Sequence, residues 1–146
     1  MDHLLPTLIE GATAARDKES ARLQQLVQAL RQSEATLARL REFRVECLAR
    51  SAAGSLGRAD AVSLQTYQGF MARLDQALLL QGHDLERKRQ AVTLQQQRLA
   101  ASQQKLLAFQ TLVRRRAAVH ALKESRRAQR ECDEFAARAL ARATGP

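Results

Sequence analysis

The chain has 146 residues, a length that fits one structural unit rather than a conventional two-domain enzyme. It is 45% apolar but only 3% aromatic, with no Trp, six Gly and two Pro, which argues against sandwiches, barrels and doubly wound sheets because those folds need frequent turn residues and bulky strands. Twenty-four Lys and Arg against fifteen Asp and Glu give a net charge of +9, so an acidic partner is expected: nucleic acid, anionic lipid or an acidic protein surface.

The opening residues Met1-Asp2-His3-Leu4-Leu5-Pro6 show neither a basic leader nor a long apolar run. No stretch approaches the roughly 18 apolar residues that span a bilayer, so a cytosolic protein is expected, reaching a membrane only through a partner. Pro6 suits a first helical turn, and a first helix is expected over about 7–52. Leu23, Leu30 and Leu37 recur at intervals of seven along it, with Val27 and Leu48 in a companion phase. Cys47 and Cys132 fall on different segments, without CxxC spacing and without a His within a turn. Reduced, partly buried thiols are expected there, not a disulfide or a metal site.

Helix breakers cluster between Ser51 and Asp60, where Gly54 and Gly57 end one helix and Asp60 or Ser63 can cap the next. One turn is expected, over about 53–60. Gly69 and Gly82 lie inside the following segment, each at a cost of about 1 kcal/mol relative to Ala, and suggest local bends or close helix approaches.

A second helix is expected over about 61–143. Leu64, Met71, Leu78, Leu85, Val92, Leu99, Leu106 and Val113 recur every seven residues without a break, the mark of a coiled-coil seam. Tyr67, Leu74 and Phe109 support it, but Gln81, Lys88, Gln95 and Ser102 share their phase, so a narrow, mobile middle is expected. Reversal around Gly57 puts Leu64 opposite the region of Arg50 and Val113 opposite the start of the chain. The expected fold is therefore all-α: a single unit, 1–146, formed as an antiparallel coiled-coil hairpin with a longer second helix. Roughly residues 114–143, about 45 Å of helix, are left without an intramolecular partner.

That overhang holds Arg114, Arg115, Arg116, Lys123, Arg126, Arg127, Arg130, Arg138 and Arg142 against Glu124, Glu131, Asp133 and Glu134, about half of the net charge. Glu134 and Arg138 are spaced to pair. Val119, Leu122, Cys132, Phe135, Ala136, Ala139 and Leu140 form a patchy apolar stripe, with Phe135 and Leu140 as candidate anchors in an acidic or mixed groove of a partner. Nearer the turn, Leu40, Phe43 and Cys47 on the first helix and Phe70, Leu74 and Ala77 on the second stand offset from the main stripes. The register sets Leu40 across from Leu74 and Phe43 across from Phe70, giving one apolar patch that either widens the core or docks a protein.

Nothing supports catalysis. The chain has no Gly-rich phosphate loop, HExxH or GxSxG, and His3, His83 and His120 stand far apart. No catalytic residue, metal ligand or cofactor is expected.

Tyr67-Gln68-Gly69-Phe70, then Leu106-Leu107-Ala108-Phe109-Gln110-Thr111-Leu112, then Asp133-Glu134-Phe135-Ala136, together with the helix–turn–helix plan, resemble the FliJ family of bacterial flagellar export proteins. The resemblance is strongest from about Gly57 to Arg142. It implies a soluble, cytoplasmic component of the flagellar type III export apparatus, similar in plan to the central stalk of rotary ATPases and peripherally associated with the inner membrane through that apparatus. The partners it implies are the hexameric export ATPase, the cytoplasmic region of the membrane export gate, and export chaperones. Carried over by position, the gate-facing residues are Thr36, Leu40, Phe43, Cys47, Phe70, Leu74, Ala77 and Gln81. Phe43 and Cys47 depart from a common family pattern of two Tyr. The ATPase-facing residues are Arg126, Arg127, Arg130, Phe135, Arg138 and Leu140 on the overhang.

Two other readings share some of these features. A stalk protein of a virulence type III system has the same plan. A basic coiled-coil nucleic-acid binder would need its basic run ahead of the heptads, whereas here it follows them.

Overall fold

A computed structural model of the chain describes residues 3–51 and 60–145. They form two helices, α1 (Leu5–Arg50) and α2 (Ala61–Thr144), packed antiparallel as a hairpin whose second helix is the longer. Apart from Asp60, the expected turn lies outside the described residues. Asp60 and not Ser63 caps α2: the Ser63 backbone N–H donates to Asp60 Oδ1 at 2.8 Å, and the Leu64 N–H donates to the Asp60 carbonyl at 3.1 Å.

A line of shielded positions runs along α1 through Leu5, Ile9, Ala12, Arg16, Glu19, Leu23, Leu26, Leu30, Ser33, Leu37, Leu40, Arg44 and Cys47 to Ser51 just past its end, in alternating steps of three and four, with Thr13, Ser20, Val27 and Ala29 half-buried beside it. This is an unbroken heptad seam, although five of its members are Arg, Glu or Ser. On α2 the matching line runs through Tyr67, Met71, Leu74, Leu78, Gln81, Leu85, Lys88, Val92, Gln95, Leu99, Ser102, Leu106 and Phe109. Leu64 and Val113, expected to end that line, are exposed.

The chain divides into two compact units, residues 17–101 and residues 1–16 with 102–146. In the first, Leu37, Leu74, Leu85 and Val92 are buried, and so are two polar residues, Ser33 and Gln95. Gln95 Nε2 donates to the Glu19 carbonyl at 3.0 Å and to the Glu19 carboxylate. Lys88 Nζ donates to Ser33 Oγ and lies 2.9 Å from Asp84 Oδ2. The apolar stripe is narrow here, as its polar residues require, but the gaps are closed by hydrogen bonds between the helices. Burying these groups unpaired would cost about 1–3 kcal/mol each.

The register of this unit is set by seam meeting seam. The expected register holds at Glu19 opposite Gln95 and at Phe43 against Phe70. It shifts by about one helical turn nearest the reversal, where the Tyr67 hydroxyl donates to Ser51 Oγ at 3.0 Å and a reversal at Gly57 would have set Ser63 opposite. Arg44 Nε donates to Asp75 Oδ1 at 2.5 Å, and this partner raises the Arg44 pKa further above its ordinary value. Neither Gly69 nor Gly82 marks a close approach. A Cβ at Gly82 would meet no atom within 4 Å, and one at Gly69 would meet only the Arg73 side chain, at 3.8 Å.

In the other unit, Leu5, Ala12 and Leu106 are buried, with Ile9 and Phe109 half-buried beside them. From Leu112 onward every described residue of α2 is exposed.

Candidate docking surfaces

Eight residues were expected to form a surface near the turn, and the structure divides them into two sets. Leu40 and Cys47 on α1, with Leu74 and Gln81 on α2, occupy seam positions; Leu74 is buried and the other three are half-buried. The offset stripe read from the sequence is therefore partly the seam itself. Polar Glu19 and Ser33 hid the phase to which Leu40 and Cys47 belong.

Thr36 and Phe43 on α1, and Phe70 and Ala77 on α2, each precede a seam residue and are exposed. Within each helix the two members stand seven residues apart, so they share one face. The Phe43 and Phe70 rings touch edge to face, which places both faces on the same side of the seam. An aromatic pair thus sits on a flank whose floor is Leu40, Cys47 and Leu74. Leu48 (41% exposed) and Leu64 (42% exposed) add apolar surface near the same end of the hairpin. The Thr36 hydroxyl donates to the Gln32 carbonyl at 3.0 Å and is satisfied within its own helix.

The second surface is the exposed arm of α2. Arg126, Arg127, Arg130 and Arg138 all face solvent, and Phe135 and Leu140 are 75% and 67% exposed. Arg127 Nε lies 3.4 Å from Glu131 Oε1, and Gln129 Nε2 donates to Asp133 Oδ1 at 3.1 Å. The expected Glu134–Arg138 pair does not form. Where the first turn of α1 lies against α2, Leu5, Pro6, Leu112, Val113 and Val119 line an open apolar groove rimmed by Arg115, Arg116, His120 and Lys123.

Among the described residues no group of three or more His, Cys, Asp or Glu could hold a metal ion, and Cys47 and Cys132 are free thiols, half-buried and exposed. No described helix is long and apolar enough to cross a membrane. What the sequence reading missed was the polar part of the α1 seam, Arg16, Glu19, Ser33 and Arg44. Steps of three and four counted without regard to polarity would have found it.

The family model described as flagellar FliJ protein matches residues 1–145 of the chain. No curated protein and no solved structure matches the chain.

Proposed function

Since the chain belongs to the FliJ family and is therefore a component of the flagellar type III export apparatus, we propose that it works there as a non-catalytic stalk, joining the hexameric export ATPase to the cytoplasmic region of the export gate. The observation that supports this reading is a pair of chemically different exposed surfaces on one hairpin: the Phe43–Phe70 flank and the basic arm of α2. An aromatic patch with an apolar floor suits a stable protein contact. A long helix that carries alternating cations and isolated apolar residues suits the lining of a ring.

In this reading Arg126, Arg127, Arg130, Phe135, Arg138 and Leu140 engage the ATPase and favour its ordered assembly. Phe43 and Phe70, with Thr36, Leu40, Cys47, Leu74, Ala77 and Gln81 around them, engage the gate. Hydrolysis at one partner is then linked to export at the other without chemistry on the stalk. The protein also hands over export chaperones. It acts in the cytoplasm, held at the inner membrane by the apparatus and not by a segment of its own.

Co-purification with the hexameric ATPase and measurement of its hydrolysis rate test the proposal. The chain should stimulate hydrolysis, and Arg126→Glu, Arg127→Glu and Arg130→Glu together should abolish the stimulation while helicity is kept. Undiminished stimulation by that variant would remove the arm from the interface.

A further inference from the structure

The seam of α2 does not stop where its partner helix does. After Leu106, Phe109 and Val113, the same steps of three and four lead to Arg116, His120, Lys123, Arg127 and Arg130, all exposed. Glu134 takes the next position and reverses the charge. A line built to meet a helix thus changes from apolar to basic within one turn, and the open groove with Leu112 and Val119 lies at the change.

We propose that this stripe receives an acidic amphipathic helix from a partner protein, whose carboxylates lie along Arg116, His120, Lys123, Arg127 and Arg130 and whose leading apolar residue fills the groove beside Val119. Charge complementarity selects the occupant. Lys123 and Arg130 form no ion pair with any described residue, and His120 has only Glu124, at 4.0 Å. A helix that presents Glu or Asp at its own inward heptad positions matches both the sign and the spacing. A duplex or a lipid headgroup layer matches the sign alone and has no heptad spacing to offer. At Arg127 and Arg130 this rests on the stalk reading and deepens it, since it fixes the chemistry of the docked element and extends the contact to Arg116, His120 and Lys123.

The test uses the full chain and a fluorescein-labelled synthetic helix of about three heptads of Leu and Glu, with Glu at one inward position of each heptad. Fluorescence anisotropy should show binding that weakens as salt rises. Lys123→Glu with Arg130→Glu should weaken it by about tenfold or more. Arg31→Glu with Arg41→Glu, an equal charge change on exposed positions of α1, should leave it unaltered; circular dichroism confirms that both variants stay helical. No binding of the Glu helix, equal binding of its Lys counterpart, equal loss in both double variants, or tighter binding to duplex DNA or phosphatidylglycerol vesicles would each overturn the proposal. ATPase co-purification that survives such a failure would leave the stalk reading standing and this one fallen.

Discussion

The Phe43 ring meets Phe70 edge-on across the two helices, with centroids 6.0 Å apart and planes at 85°, yet the residues remain 42% and 40% exposed. An edge-to-face pair contributes about 0.5–1.5 kcal/mol beyond its buried area. Phe43→Ala with Phe70→Ala should therefore lower stability modestly, leave far-ultraviolet circular dichroism intact, and abolish capture of the export gate while capture of the ATPase persists. Equal loss of both partners in pull-downs would show that the pair serves the fold alone.

Gly82 and Gly69 offer a stabilising change. Both sit inside α2 with room for a methyl group, so the helical cost of glycine is uncompensated. Gly82→Ala should raise stability by about 0.5–1 kcal/mol, read as a higher thermal midpoint, and Gly69→Ala should do nearly the same.

At Leu37 and Leu85, 5% and 6% exposed, truncation to Ala should cost about 2–3 kcal/mol each in denaturant melts. Leu79→Ala, at a position 61% exposed, should fall within about 0.5 kcal/mol of the parent. A similar loss at Leu79 would mean that the hairpin packs through a different face.

The polar layers predict a distinction between shape and satisfaction. Gln95→Leu together with Glu19→Leu should be close to neutral, because both hydrogen-bond partners leave and the same seam positions are filled, whereas Gln95→Ala alone leaves a gap and an unpartnered Glu19 carboxylate and should be clearly destabilising. Paired with Lys88→Leu, the Leu variant should also loosen register, because a polar layer disfavours shifted pairings that a uniform apolar seam tolerates. Cysteine pairs engineered at matched and mismatched layers would reveal this as crosslinking at more than one register.

Acid should weaken the hairpin through two carboxyls. The Lys88 ammonium holds Asp84 below its ordinary value of 3.8, against the opposing effect of partial burial. The capped Ser63 N–H does the same for Asp60. A group whose pKa is depressed on folding contributes stability that is complete above its unfolded pKa and is lost as pH falls through the folded one. Thermal midpoints should thus hold steady from neutral pH down to about 4 and decline below it. Asp84→Asn with Asp60→Asn should flatten that decline, and an unchanged slope would assign it to other carboxyls.

Much of the architecture was legible because Leu64 to Val113 is a long, strict repeat and because Gly54 and Gly57 are the only clustered breakers. The α1 seam was harder to read for a physical reason: Glu19 and Ser33 earn their inward places through Gln95 and Lys88, which stand 76 and 55 residues away. A search for apolar spacing on one helix cannot see a partner on the other. The same blindness assigned Leu40 and Cys47 to an outer stripe. Phe43 and Phe70 were visible because the antiparallel register about Gly57 sets them opposite each other, and their rings do meet.

The 3–4 spacing that passes from Val113 to Arg116 without a skipped residue makes α2 a graduated track, of which α1 occupies one stretch. Whatever docks on the remainder inherits an angular setting already fixed by the intramolecular pairing. Lengthening α1 by seven residues at its first turn would advance the occupied stretch by about 10 Å and shorten the open one equally, while the exposed chemistry kept its phase. Partner footprint in such a molecule is a matter of helix length, adjustable in whole heptads.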